Sequence, residues 1–216
     1  MRGLAAIAIV FAVSACALPA KFGEGARPKF VDLPPAPLPS YRTGDTFVYS
    51  DGTATPLVRR VVGVNAETVD WVTEKDFRFT TYRNFALPRL KWNGPSSAGT
   101  MLNALRPAEL WPLEPKKTAQ VTADYNRLDK ATNETSTYKE NWSCKVNRAR
   151  AVTVPAGTFD AFKIICRRLN QAGKTTRTHI WYYAPQVGHF VKRIKKYGNR
   201  PDRVIELVTY RPGAGA

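Results

Sequence analysis

The stretch Val152–Cys166, which reads VTVPAGTFDAFKIIC, is the clearest indication of how this chain folds. Pro155 fixes its own φ angle, and Gly157 can adopt a positive φ, so the residues between Val154 and Thr158 predict a tight turn. The runs on either side are β-prone and predict the two strands of an antiparallel hairpin. Phe159 and Phe162 are expected to enter the core from the second strand. The chain is therefore expected to be built from hairpins.

A second stretch, Trp181–Lys192 (WYYAPQVGHFVK), also predicts a strand, a tight turn and a second strand. Trp181 lies on a predicted strand, Pro185 ends that strand, and Gly188 permits the turn into the next one. We interpret Pro155, Gly157, Phe159, Trp181, Pro185 and Gly188 as residues that specify the fold. The alternative is an aromatic cluster that contacts a ligand.

Further β-prone runs are separated by turn signals along the rest of the chain. They are Thr46–Ser50, Pro56–Val64, Glu67–Thr73, Phe77–Tyr82, Ala119–Asp124, Glu140–Val154, Phe159–Leu169, Thr175–Tyr183, Phe190–Lys196 and Arg203–Tyr210. Single helical turns are predicted at Thr100–Ala104 and Pro107–Trp111, and a polar turn at Asn126–Asn133. The pattern predicts a mainly β fold with few short helices, in which an antiparallel meander forms a curved sheet or an open half-barrel.

Two cysteines lie within the predicted hairpin. Cys144 shares a strand face with Trp142 and Val146, and Cys166 shares one with Ile164, so the turn brings both thiols to one buried face. A pair of cysteines in an exported chain indicates a disulfide. Two buried free thiols or a redox pair are the alternatives.

The N-terminus resembles a bacterial lipoprotein signal. Arg2 precedes an apolar run from Leu4 to Val13, which is too short to span a bilayer. Val13-Ser14-Ala15-Cys16 then resembles a lipobox, which implies cleavage before Cys16, acylation of its thiol with chains such as palmitate, and attachment to the membrane. Ordinary signal-peptidase cleavage near Ala15 is the alternative.

The region after Cys16 is rich in proline. Six prolines fall within residues 17–40, which favours polyproline II and excludes a sheet ladder. We divide the chain into a signal peptide (1–15), a lipidated cysteine with a proline-rich linker (16–40) and one β-rich domain (41–216). Residues 17–34 are expected to be a tether, or alternatively a strap on the domain surface.

The two motifs together carry a family resemblance. The "VPAGTF" turn followed by "WYYAPQVG" resembles the TapB-like family of bacterial exported proteins and lipoproteins of unknown function, over about residues 108–211. The resemblance implies a curved antiparallel sheet and no established enzymatic activity.

Positive charge is concentrated in the C-terminal part of the chain. The formal net charge is +16, and residues 141–216 hold 15 Lys and Arg but only three acids. This excess suggests a basic face for anionic lipid, lipopolysaccharide or an acidic envelope protein. The alternative is a basic sheet face that is only solvated and binds no partner. The expected location in the envelope disfavours nucleic acid as a partner. The first candidates for an anionic-ligand face are Arg167, Arg168, Lys192, Arg193, Lys195 and Lys196.

Catalytic signatures are absent from the sequence. The two histidines, His179 and His189, have no neighbouring carboxylate in the sequence and form a poor metal pair, and no serine has a nucleophile-elbow context. We therefore expect no catalytic residues, no metal and no cofactor.

These features favour a non-enzymatic envelope lipoprotein that faces the periplasm, with the outer membrane as its expected site. Its β-domain would bind or support an anionic envelope component. The alternatives are a lipid or lipoprotein carrier with an apolar concave sheet and, less favoured, a hydrolase.

Overall fold

The computed structural model describes residues 29–104 and 110–214, without the side chains at 103 and 104. Twelve strands make up almost all of the regular structure, and the described residues include no α-helix. The strands are β1 (Thr46–Ser50), β2 (Leu57–Val64), β3 (Thr68–Thr73), β4 (Arg78–Tyr82), β5 (Lys91–Asn93), β6 (Ser97–Ala104), β7 (Thr118–Asp129), β8 (Glu134–Val154), β9 (Gly157–Leu169), β10 (Thr175–Ala184), β11 (His189–Tyr197) and β12 (Arg200–Arg211).

Each strand pairs antiparallel with its neighbours in the chain, and β1 pairs with β12, so that the sheet closes into a barrel. Phe47 on β1 lies opposite Tyr210 on β12, and their rings stack with centroids 4.7 Å apart. The prediction of a mainly antiparallel β fold is confirmed, and closure goes beyond the expected curved sheet or open half-barrel. Closure removes the two unpaired edges that an open sheet would expose.

The predicted helical turn at Thr100–Ala104 is wrong. These residues belong to β6, where Thr100 pairs with Lys91 on one side and with Asn126 on the other. Tertiary pairing on both sides overrides the weak local preference. In the second predicted helical turn, residues 107–109 lie outside the described residues, and the polar turn expected at Asn126–Asn133 begins only after Asp129.

The predicted hairpin forms between β8 and β9. Val154 pairs with Gly157, whose φ of 130° explains the need for glycine at the turn. Cys144 and Cys166 lie directly opposite each other and form a disulfide, with their Cα atoms 4.0 Å apart. The predicted disulfide is therefore confirmed.

Residues 29–40 contact β8 and the segment before β7 through isolated backbone bridges, Phe30 with Arg150 and Ala36 with Leu113. The Val31 amide donates to the Ala149 carbonyl at 3.1 Å, and Ala36 and Leu113 exchange two backbone hydrogen bonds of 3.1 and 2.8 Å. Ala36 is buried. Val31 and Ala36 of the proline-rich segment are thus hydrogen-bonded to the β-rich part of the chain. Residues 1–28, including the predicted signal peptide and Cys16, lie outside the described residues.

Candidate functional site

A cavity of about 210 Å³ lies inside the barrel and opens to solvent. Side chains from most of the strands reach it, together with the segment between β4 and β5. Residues 83–90, which we call the plug segment, turn into the barrel: Phe85, Ala86 and Leu87 are all buried. Phe85 packs edge-on against Trp181 and stacks on Tyr183. The plug segment therefore forms one wall of the cavity.

Alternation along two strands directs basic side chains into this cavity. On β10, Arg177, His179 and Trp181 point inward, and on β11, Arg193 and Lys195 do the same. Successive side chains of a strand face opposite sides of the sheet. Because β10 and β11 are neighbours and Trp181 lies opposite Arg193, the inward residues of both strands form one continuous patch of the cavity wall.

Three arginines in the cavity are linked in series by aromatic rings. The guanidinium carbons of Arg193 and Arg59 lie 5.7 and 5.3 Å from the Phe190 ring centre. Those of Arg59 and Arg89 lie 5.8 and 4.7 Å from the Phe79 ring centre. We call Arg193, Arg59 and Arg89, with the two shared rings, the arginine ladder. Stacking on rings occupies the faces of a guanidinium and leaves its N–H edge free for an oxyanion.

The cavity carries excess positive charge. No ion pair within 4.0 Å joins a carboxylate of the described residues to any of its five basic side chains, which are Arg59, Arg89, Arg177, Arg193 and Lys195. One carboxylate, Glu140, lines the cavity, and it is already held by Arg168 at 3.1 Å and by the Trp142 indole N–H at 2.9 Å. Burying charges without partners is costly, so the cavity is electrostatically suited to an anion.

Several polar atoms in the cavity wall have no hydrogen-bond partner among the described residues. Arg193 is only 7% exposed, yet its Nε donor is unpaired, as is the indole N–H of Trp181, which is 5% exposed. His179 Nε2 is likewise unpaired. Buried donors nearly always find an acceptor in proteins. These three groups lie on the adjacent strands β10 and β11 of the cavity wall.

Burial and like charges shift the acid–base behaviour of the cavity. Desolvation, followed by repulsion from Arg193, lowers the pKa of Lys195 to about 6. Desolvation, followed by repulsion from Arg59, holds the pKa of Arg193 well below its usual value. The pKa of His179 is lowered to about 2, mainly by burial and then by Lys195. A bound anion would oppose all of these shifts.

The two histidines are core groups rather than a paired acid and base. His189 is buried, and its Nδ1 is hydrogen-bonded to the Tyr41 hydroxyl at 2.7 Å. His179 packs between Trp142 and Trp181, with ring centroids 4.9 and 5.9 Å away. A hydrolase would need a carboxylate hydrogen-bonded to one of these rings. Among the described residues, no carboxylate makes such a hydrogen bond. No group of three His, Cys, Asp or Glu that could hold a metal lies in this part of the chain.

The basic residues predicted to form one face are divided between two faces of the sheet. Arg193 and Lys195 line the cavity, and Arg168 points inward to Glu140. Arg167, Lys192 and Lys196 lie at alternate positions and point outward. Lys192 pairs with Glu206 at 2.6 Å and Lys196 with Asp202 at 3.1 Å. The expectation of a single surface face was wrong, because adjacent residues of a strand cannot share a face.

The residues predicted to specify the fold lie in the turn between β8 and β9, on β9 and β10, and in the turn after β10. The Gly188 amide donates to the Ala184 carbonyl at 3.0 Å in the turn after β10, with a φ of 67° at Gly188. Pro185 begins this turn, and Phe159 packs half-buried against the core. Trp181 also lines the cavity. It therefore belongs both to the core and to the candidate site.

Sequence reasoning missed Arg59 and Arg89, because they belong to the N-terminal half of the chain, far in sequence from the basic C-terminal strands. Closure of the barrel brings them to Arg193. The signal that could have revealed Arg193 and Lys195 as inward residues is their spacing of two, which matches the spacing of His179 and Trp181 on the neighbouring strand.

Comparison with known proteins identifies the fold. The barrel is similar to the crystal structure of the hypothetical lipoprotein YmcC from Escherichia coli, with a TM-score of 0.50 at 8% identity over 78% of this chain and 85% of that one. The fold is YmcC-like.

Two further solved structures give lower scores. An exported-protein candidate with a YmcC-like fold from Bacteroides fragilis has a TM-score of 0.46 at 14% identity, over 82% of this chain and 99% of that one. A lipoprotein candidate from Parabacteroides distasonis has a TM-score of 0.41 at 12% identity, over 83% and 100%. No family model and no curated protein matches the chain. The described residues contain no helix with the length and apolarity needed to cross a membrane.

Proposed function

We propose that this chain is a lipid-anchored protein of the bacterial envelope, whose barrel binds a small anionic ligand in its internal cavity without transforming it. The observation that carries the proposal is Arg193: it is buried, it has no carboxylate partner among the described residues, and its Nε donor is unpaired. An oxyanion held by its N–H edge would repay the cost of burying the charge.

The internal site replaces the surface face as the first candidate for anion binding. Outside the barrel, Lys192 and Lys196 are already neutralised by acidic partners, whereas the cavity cations are not. Charges inside a barrel are also less screened by salt than charges on its surface. Electrostatic attraction for an anion is therefore expected to be stronger in the cavity than on the outer surface.

The carrier hypothesis requires an apolar space for acyl chains. The cavity instead presents five cationic side chains, and its volume of about 210 Å³ lies below the roughly 300–1,000 Å³ of pockets for drug-sized ligands. The geometry thus favours a small, charged ligand over a lipid tail.

Titration calorimetry on the full chain in detergent tests the proposal, with acetate and inorganic phosphate as probes. We expect binding that is lost in Arg193→Gln and kept in Arg167→Gln, a matched change at an exposed outward position. Equal affinity of Arg193→Gln and wild type would refute the internal site. Loss in Arg167→Gln alone would move the site to the outer surface.

The lipid anchor and the envelope location rest on the sequence from Val13 to Cys16, and the fold similarity to a protein described as a lipoprotein is compatible with them. We extend the proposal to membership of the TapB-like family and to the periplasmic side of the outer membrane. Cell fractionation tests the anchor: wild type is expected in the membrane fraction and Cys16→Ser in the soluble fraction. Membrane retention of Cys16→Ser would exclude acylation as the anchor.

A further inference from the structure

The arginine ladder extends the cationic surface beyond Arg193. Arg193 shares the Phe190 ring with Arg59, and Arg59 shares the Phe79 ring with Arg89, so the three guanidinium groups follow one another across the cavity. Arg193 belongs to β11, Arg59 to β2 and Arg89 to the plug segment. The three arginines therefore come from three different parts of the barrel wall.

The net positive charge of the cavity also favours a ligand with more than one negative charge. Glu140, the carboxylate that lines the cavity, is paired with Arg168, which leaves it little capacity to neutralise the ladder. A single negative charge would compensate one guanidinium and leave the others facing each other. Arg193 is buried and Arg59 is half-buried, so their like charges repel more strongly than they would in water. A ligand with two anionic groups would relieve repulsion that a monoanion leaves in place.

The rings fix where the anionic groups would lie. Phe77 and Phe79 each hold their ring centre 4.7 Å from the Arg89 guanidinium carbon, and Trp181 holds its ring centre 5.1 Å from that of Arg193. A guanidinium group that packs on an aromatic ring can still donate N–H groups to a carboxylate or a phosphate. Arg193 and Arg89, at the two ends of the ladder, are therefore the candidate oxyanion sites.

We propose, building on the anion-binding function above, that the ligand is a small molecule carrying two oxyanionic groups, one bound at Arg193 and the other at Arg89, with Arg59 between them. The shared chemistry is two carboxylates or two phosphates joined by a short linker. Both classes present planar or tetrahedral oxygen groups that guanidinium edges recognise.

The test compares probes that differ in the number of anionic groups. The full chain in detergent is titrated at constant ionic strength with acetate and succinate, and in parallel with methyl phosphate and pyrophosphate. We expect at least a tenfold higher affinity for the two-group member of one pair, and the pair in which this occurs identifies the carboxylate or the phosphate source. Equal affinities within both pairs would overturn the inference and leave the proposed function intact.

Variants separate the two ends of the ladder. Arg89→Gln is expected to bring the affinity for the two-group probe close to that for the one-group probe, while the one-group affinity falls by a much smaller factor. Arg193→Gln is expected to weaken both, and Arg167→Gln neither. Because Arg89 is solvent-accessible at the cavity, its substitution should be tolerated even if Arg193→Gln does not fold. If Arg89→Gln has no effect on the two-group probe, the inference is wrong; if no probe binds wild type, the proposed function fails as well.

Discussion

Arg193 lies directly opposite Trp181 on the neighbouring strand, with its guanidinium carbon 5.1 Å from the Trp181 ring centre. Both side chains are buried, and neither the Arg193 Nε nor the indole N–H has an acceptor among the described residues. A fold under selection for stability alone would place apolar residues here, because a buried guanidinium without a partner opposes folding. The pair is therefore the first place to test the proposed anion binding.

Replacing this guanidinium by an apolar side chain should stabilise the free protein. Arg193→Met keeps a long side chain over Trp181 and removes an uncompensated buried charge. We expect the free energy of unfolding, measured by urea titration without added anion, to rise by about 1–3 kcal/mol. The same substitution at the exposed Arg167 should change it by less than about 0.5 kcal/mol. A fall in stability for Arg193→Met would mean that the charge has a structural partner.

Anion binding should weaken as the pH rises. The pKa of Lys195 is lowered to about 6, first by desolvation and then by the neighbouring cations. An anion in the cavity favours the protonated amine and raises this pKa, so binding takes up a proton above pH 6. The charged or titratable groups around Lys195 are Arg193 on its own strand, Arg177 and His179 on β10, Arg203 on β12, Arg59 on β2 and Arg89 in the plug segment.

A rise of one unit in the pKa of Lys195 on binding corresponds to a tenfold change in affinity. For a rise of about this size, we expect the affinity for succinate to fall about five- to tenfold between pH 6 and pH 8. Lys195→Met should show a flat profile over this range. A flat profile in wild type would contradict the prediction.

The same lysine should make stability depend on pH, in a direction that the pKa fixes. The folded-state pKa of about 6 lies below the ordinary lysine pKa of 10.5, so between these two pH values the unfolded chain binds the proton more tightly. Unfolding free energy should therefore rise with pH from about 6 towards 10 as far as Lys195 contributes. Subtracting the profile of Lys195→Met from that of wild type isolates this contribution. A difference that declines with pH would have the wrong sign.

The disulfide should stabilise the barrel next to the cavity. Cys144 and Cys166 are 22 residues apart and both buried, and the Cys166 sulfur lies 3.9 Å from the Ala86 carbonyl of the plug segment. Cross-linking a loop of this size is worth about 3 kcal/mol. The double change Cys144→Ala with Cys166→Ala should lower the free energy of unfolding by roughly that amount. Reductant should have no effect on the double variant, and an unchanged stability would show that the bond does not contribute.

Local patterns were enough to predict the C-terminal hairpins. The turn at Pro155 and Gly157 needs a fixed φ and a positive φ, and the cysteines lie at matching positions on its two strands; both are signals within 25 residues of chain. Closure could not be predicted in this way. Phe47 and Tyr210 stack across the first and last strands, and nothing in either local sequence specifies a partner more than 160 residues away.

Only some of the residues of the candidate site could be predicted from the sequence. The high basic charge of residues 190–196 was evident, but Lys192 and Arg193 were assigned to one face although adjacent strand residues point in opposite directions. Strict use of alternation would have separated them. Arg59 and Arg89 could not have been added, because their proximity to Arg193 follows from closure and from the inward path of the plug segment.

A glycine opposite an aromatic residue shapes the remaining wall of the cavity. Gly99 on β6 pairs with Trp92 on β5. The Trp92 ring lies over Gly99 and lines the cavity. A Cβ atom at Gly99 would collide with this ring and would lie 2.8 Å from the Asn126 carbonyl oxygen. Gly99→Ala should therefore displace Trp92 and lower the free energy of unfolding by about 1–3 kcal/mol.

Displacement of Trp92 should also shift the tryptophan emission to longer wavelength, because the indole moves towards water. Gly198→Ala is the matched control, since no heavy atom lies within 4 Å of its added Cβ and its φ is not in the positive range. The control should leave both emission and stability unchanged. Equal behaviour of the two variants would show that the contact between Gly99 and Trp92 does not hold the cavity wall in place.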